Sequence, residues 1–534
     1  GRPPSGHNFD VQFLDMYDRA FRRARHDGAA VYESVRPRLN PARFPVRKPP
    51  GRRRIFLIGD STAWSFPGGL LEGKLQEVLP GAEFEVVNCG MPGSDAYRNL
   101  LMGREVLGYD PDLVVVIAGN NEMIGPRRLN PWKYRGPLSH SAVFRLLCDL
   151  VSPAVTIRSR EEADRYFSDS LSRLAAAAAA RRVPLLLCTE PANYRDNHFP
   201  DEGMSFEPDF LALIEALRRR ESGAAARRLE ALAGRHPDSA FLEHYRGRLA
   251  EDRGDHAAAA RHYALALERD PFPIVCDRRC NGIIRSLAAQ YGLPLADIAQ
   301  RFLDTAPHGI PGFDLFKDNC HAWPPVFGLY ADEITEAVRG FDCARGAFAL
   351  ASCGDWRMDQ LSRTTYVSLA GPVAGQKAQT GAEGNLVFAL TMILGPGPHS
   401  LDPLPLAYRA FQYLDLLHEQ APETLRTLDA RRAECLALLD RHEWVAGLAG
   451  DLRQESGWGR VLAYAGETLR RAGRLQDALR LFDKAVACDG RDAMARYFRG
   501  WTCLGLGRRR EAAADFAAAR GLNPWLGTVI PGTR

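Results

Sequence analysis

Ser61 sits in Gly59-Asp60-Ser61-Thr62, a tetrapeptide with no reactivity of its own. A serine hydroxyl becomes a useful nucleophile when a base takes its proton during attack. Late in the chain, Asp318-Asn319-Cys320-His321 offers such a base. His321 supplies the imidazole. Asp318, on the same short loop, is near enough to accept from the other ring nitrogen and hold one tautomer. The oxyanion that forms needs preorganised donors, each worth roughly 3 kcal/mol of barrier. Two intervening blocks can supply them, Asn88-Cys89-Gly90-Met91-Pro92-Gly93 and Gly119-Asn120-Asn121-Glu122. The expected donors are the backbone N–H groups of Ser61 and Gly90 and the side-chain amide of Asn121. Gly90 also lets the backbone come close where a Cβ would intrude.

Three of these blocks follow short apolar runs. Ile55-Phe56-Leu57-Ile58 precedes the serine, Phe84-Glu85-Val86-Val87 the Gly90 block, and Leu113-Val114-Val115-Val116-Ile117 the Asn121 block. Pro184-Leu185-Leu186-Leu187 is a fourth such run, and Leu293-Pro294-Leu295-Ala296 a weaker fifth. Helix-sized stretches lie between them, including 69–79 and the alanine-rich 168–182, and 326–339 closes the domain as a helix. Continuous apolar strands alternating with helices predict a parallel sheet covered on both faces. Ligands bind such sheets outside the carboxyl ends of the strands. The Ser61, Gly90 and Asn121 blocks are therefore expected to converge on one crevice, where the His321 loop joins them.

The four blocks resemble those of the SGNH (GDSL-like) hydrolase superfamily over residues 51–340. The resemblance implies a flavodoxin-like three-layer α/β/α domain, Ser61 as nucleophile, Gly90 and Asn121 as oxyanion donors, and Asp318 with His321 completing the triad. The third block usually reads G-x-N-D, and Glu122 stands here in place of the aspartate. That variant is similar to a bacterial subgroup of large SGNH proteins bearing tetratricopeptide repeats. Asp60, Glu122, Asn193 and Tyr194 flank the blocks or the fourth strand's end and are the candidates for substrate contact, a turn role being the alternative for the last two. Cys320, beside His321, reads as a small apolar neighbour, since no second base serves it.

Outside this domain the period changes. Residues 9–35 carry Phe9, Phe13, Met16, Tyr17 and Phe21 at helical spacing, which predicts an amphipathic helix, and a proline-rich basic connector follows to Arg54. Residues 205–271 are expected to be a helical insertion. Counting from Ala240, it places Gly247, Gly254, Ala259, Tyr263, Ala266 and Pro271 at the small-residue, aromatic and stop positions of a 34-residue tetratricopeptide unit. The same pattern starts again at Gly459 and, 34 residues later, at Ala493. The expected organisation is thus 1–50 as helix and connector, 51–340 as the hydrolase domain, 341–404 without assignment, and 405–534 as helical repeats.

The composition excludes several other classes. With 69 basic and 65 acidic residues, the net charge of +4 gives no drive toward nucleic acid. Basic runs such as 218–220 and 508–510 lack the interleaved aromatics of a base-stacking platform. No apolar run reaches the roughly 18 residues of a membrane span. The 11 cysteines are scattered and odd in number, which fits free thiols in a reducing, cytoplasmic compartment. Cys276 and Cys280 have no second pair at zinc spacing, so neither a metal nor a cofactor is expected. The expected activity is that of a serine-dependent ester or thioester hydrolase or acyltransferase. Its substrate is expected to be carried by a peptide or carrier protein docked on the repeats, and the absence of a lid-like hydrophobic run argues against bulk lipid. Two other readings stand beside it: an inactive scaffold built on the same fold, and a biosynthetic condensation that passes through the same acyl-serine.

Overall fold

A computed structural model describes residues 18–36, 39–123, 159–341 (except 198, 200–203, 205–206, 219–220, 272, 313 and 317–318) and 473–528, with a few positions beside these. Its first elements correct the expected N-terminal helix. Phe21–His26 (β1) and Ala29–Ser34 (β2) pair antiparallel, and Arg43–Pro45 (β3) extends the sheet from β2. The turn between β1 and β2 is Asp27-Gly28, with φ of 47° and 78°. Positive φ at both central residues is the geometry that matches strand twist in a two-residue hairpin, and Asp-Gly adopts it readily. This turn chemistry prevails over the helical spacing of the aromatics. Phe21 lies in β1, whereas Phe9, Phe13, Met16 and Tyr17 lie outside the described residues.

The main sheet has five strands: Arg52–Gly59 (β4), Glu83–Gly90 (β5), Leu113–Ile117 (β6), Leu185–Cys188 (β7) and Leu295–Ala296 (β8). Their order is β5-β4-β6-β7-β8, with every neighbouring pair parallel. Among the described residues the α-helices are Ser61–Ser65 (α1), Gly68–Val78 (α2), Ala96–Val106 (α3), Arg160–Ala180 (α4), Pro208–Arg218 (α5), Ser222–Arg235 (α6), Ala240–Asp252 (α7), His256–Arg269 (α8), Arg278–Tyr291 (α9), Ile298–Thr305 (α10), Phe327–Phe341 (α11), Leu475–Cys488 (α12), Ala493–Gly505 (α13) and Arg509–Leu522 (α14).

Alternation along the strands sorts the core into two faces. Ile55, Leu57, Val115, Ile117 and Leu186 pack against α2, α10 and α11. Phe56, Ile58, Val114, Val116 and Leu187 pack against α3, α4 and α9. The result is a flavodoxin-like three-layer α/β/α domain, with the β1–β3 hairpin sheet added on the second face through Phe21 and Phe44.

The helical parts are packed onto this domain. Helices α5 to α8 form the insertion between β7 and α9, and their core takes in Tyr194, Ile310 and Cys320 from the domain itself. Helices α12 to α14 share a continuous core with α11, where Trp323 meets Phe498 edge-on at 5.6 Å. Within the helix pairs a glycine lies under an aromatic ring. A Cβ on Gly247 would stand 2.7 Å from the Tyr263 ring, and one on Gly500 2.7 Å from the Phe516 ring. The same contact joins Gly466 to Phe482, so it recurs 34 residues apart at the C-terminal end. The expected repeat helices of 405–450 lie outside the described residues, as does the unassigned stretch 342–404. Among the described residues, no helix is long and apolar enough to cross a membrane.

Candidate active site

Strand β4 ends at Gly59, where a Cβ would lie 1.9 Å from Ile117 O on β6, so only glycine lets the two strand ends close up there. The chain turns at once into α1. Asp60 caps that helix, accepting from Thr62 N at 2.8 Å, and its second oxygen accepts from Asn120 N at 3.3 Å. Asn120 continues the tie, donating to Thr62 Oγ1 at 3.2 Å and accepting from Cys276 N at 2.8 Å. Ser61 is thereby fixed at the first position of α1, with the β6 end on one side.

His321 reaches it from the far end of the sequence. Its Nε2 lies 2.8 Å from Ser61 Oγ, and both residues are 4% exposed. The loop that presents the imidazole is pinched at its base: Phe316 and Ala322 pair antiparallel, and Trp323 N donates to Leu315 O at 3.0 Å. Asn193 N on the β7 side donates to Asn319 O at 2.9 Å. Cys320 Sγ lies 3.7 Å from His321 Nδ1 and 3.9 Å from Nε2, against the ring. Asp318 falls outside the described residues.

The expected oxyanion donors need one correction. The N–H of Gly90 is taken by Asn88 Oδ1 at 2.9 Å inside the protein. Gly90 is required there for another reason, since its Cβ would lie 2.2 Å from Trp64 N and would push α1 away. Directly after Gly90, Met91-Pro92-Gly93-Ser94 forms a turn closed by Ser94 N donating to Met91 O at 3.1 Å, with Gly93 at φ 74°. Pro then Gly at the two central positions is the type II pattern. Among the described residues the N–H of Gly93 has no acceptor. Asn121 donates to Ser94 O at 3.1 Å, which ties the third block to this turn, and its amide carries two hydrogens.

Each of the four candidates for substrate contact makes hydrogen bonds within the protein. Asp60 is wholly buried and serves as the cap described above. Glu122 is buried and accepts from Ala96 N at 3.0 Å, holding the start of α3 beside the cap that Asp95 makes on Arg98 N. Asn193 accepts from Asp196 N at 2.8 Å, and Tyr194 N donates to Pro311 O at 2.9 Å, so the Glu190-Pro191-Ala192-Asn193 segment braces the His321 loop as a turn.

Two buried carboxyl groups, Asp60 and Glu190, stand close enough to feel one another's charge. Burial pushes Asp60 up to about 6, against the lowering effects of the Thr62 N–H and of the His321 charge. Glu190, at the end of β7, is held well above the ordinary carboxylate range, first by burial and then by the Asp60 charge. Neither of its oxygens makes a well-formed hydrogen bond. Its backbone is fixed by Asn281, which accepts from Glu190 N at 2.9 Å and donates to Glu190 O at 2.8 Å. Nothing in the sequence marks this glutamate as buried, because it reads as the polar end of a strand.

No family model matches the chain, and no curated protein matches it. Solved structures do. The chain is similar to the acetyl xylan esterase AlAXEase, at 17% identity over 53% of this chain and 99% of that one, with a TM-score of 0.29. It is also similar to a GDSL-like lipase from Bacteroides thetaiotaomicron, at 12% identity over 54% and 89%, TM-score 0.27. A third likeness is to a catalytic mutant of Axe2, an acetylxylan esterase from Geobacillus stearothermophilus, at 14% identity over 54% and 94%, TM-score 0.28.

Proposed function

We propose that this chain is a serine-dependent ester or thioester hydrolase or acyltransferase. The observation that carries the reading is the buried 2.8 Å approach of His321 Nε2 to Ser61 Oγ. In the proposed step Ser61 Oγ bonds to the acyl carbon while His321 Nε2 takes its proton. His321 then gives that proton to the departing alcohol or thiol as the acyl–oxygen or acyl–sulfur bond breaks. Water or a second acceptor, deprotonated by the same imidazole, releases the acyl group from Ser61. The N–H groups of Ser61 and Gly93 and the Asn121 amide are the proposed oxyanion donors, Gly93 taking the place expected of Gly90. Asp318 is the proposed partner of His321 Nδ1. This chemistry calls for no cofactor.

The proposed acyl donor is carried by a peptide or carrier protein docked on the repeat helices. Support comes from position: the insertion and the C-terminal helices both pack on the His321 loop, through Cys320 and Trp323. The test of the chemistry is kinetic. Ser61→Ala and His321→Ala should each lower kcat/KM on an aryl acetate by about a thousandfold or more, with unchanged circular dichroism. A loss under about tenfold in a folded variant would move the chemistry to other residues.

A further inference from the structure

Arg195 follows the Asn193-Tyr194 turn and stands where three parts of the chain meet. Its Nε lies 3.0 Å from Glu251 Oε1, at the end of α7 in the helical insertion. One terminal nitrogen lies 3.6 Å from Asp314 Oδ1, and the other donates to Ile310 O at 3.1 Å. Its own N–H donates to Pro311 O at 3.0 Å. Residues 310–316 are the leading arm of the loop that ends at His321. Glu251 is itself fixed, accepting from Tyr263 OH on α8 at 2.8 Å.

The junction is tight and strongly charged. A Cβ on Gly312 would stand 2.7 Å from Asp196 Oδ2, 3.0 Å from the Arg195 guanidinium and 3.0 Å from Asp314 Oδ1. One guanidinium therefore sits among the carboxylates of Glu251, Asp196 and Asp314. Arginine suits this place, since its planar fork serves several acceptors at once and the point charge of a lysine does not. With the guanidinium gone, three carboxylates repel across the gap, and the arm from 310 to 316 loses its tie to the insertion.

Resting on the reading of Ser61 and His321 as nucleophile and base, we propose that Arg195 is a positioning residue. It transmits the placement of the helical insertion, through Glu251, to the loop that sets His321 against Ser61. The insertion is in this sense part of the active site, and its sequence is constrained at Glu251 and Tyr263 by the chemistry more than 50 residues downstream.

The test uses the full-length protein with Arg195→Ala, Glu251→Gln and the double variant, assayed on an aryl acetate and by hydrogen exchange of 310–323. Misplacing a base by about 1 Å costs up to about a hundredfold. Arg195→Ala is expected to lower kcat by about tenfold to a hundredfold with KM within about twofold, Arg195→Lys to recover little, and exchange of the 310–323 amides to quicken. Glu251→Gln should give a smaller loss that does not add to that of Arg195→Ala. A kcat within about twofold of wild type in both single variants, with unchanged exchange, overturns the proposal. Should Arg195→Ala fail to fold, the isosteric Glu251→Gln decides alone. Were wild-type Ser61 to be unreactive, the hydrolase reading would fall, while the exchange measurement would still decide whether Arg195 ties the loop.

Discussion

Ser61 and His321 are 260 residues apart, and no spacing rule joins them. They were legible because each stands in a block whose residue types suit one step of acyl transfer. The oxyanion donors were less so. Gly90 and Gly93 lie in the same block, and what separates them is the side chain of Asn88, which occupies one N–H and leaves the other. Asn121→Ala is expected to lower turnover by about a hundredfold with folding intact, since it removes one donor. A loss under about threefold in a steady-state assay would assign the hole to other groups. Glu190 gives a second prediction. Folded, it keeps its proton well above the ordinary carboxylate range, whereas unfolded it ionises in that range. The folded state thus binds more protons, so the contribution of Glu190 is fully present at low pH and is lost as pH rises, by up to about 1.4 kcal/mol per pH unit. Glu190→Gln should gain stability relative to wild type as pH rises above the ordinary carboxylate range in urea titrations, and a pH-independent difference would contradict the buried neutral acid.

Among the elements, strands β4, β6 and β7 were legible because both faces of their central residues are covered, which forces unbroken apolar runs. Strand β8 is only Leu295–Ala296, and its brevity leaves little pattern to read. The helical spacing of the N-terminal aromatics does not reveal the hairpin, because the Asp27-Gly28 turn, with its positive φ values, decides the local fold. The hairpin is held by aromatic contacts: Phe44 meets Phe21 at 5.1 Å, Tyr32 at 5.5 Å and Phe56 at 5.5 Å. Phe44→Ala should therefore cost about 3–5 kcal/mol in denaturant unfolding, because it opens a cavity between the hairpin sheet and the main one. A cost under about 1 kcal/mol would mean that the hairpin is an independent appendage.

At the scale of the whole molecule, the order of layers followed from strand and helix alternation, whereas the docking of the repeats did not. That docking depends on single contacts such as Trp323 with Phe498, and a pairwise contact across 175 residues leaves no periodic trace. The core shared by α11 to α14 implies cooperative unfolding. Calorimetry should show one transition for the α/β domain and the C-terminal helices together, and two well-separated transitions would refute the shared core. Ser61 at the start of α1 and His321 on the loop before α11 are proposed to make one acyl-transfer site. The most direct measurement is site-mapped mass spectrometry after exposure of the intact protein to a fluorophosphonate. The predicted result is one adduct on Ser61, lost in Ser61→Ala and strongly slowed in His321→Ala. Labelling that persists in Ser61→Ala, or a folded wild-type protein that takes no label, would contradict the account.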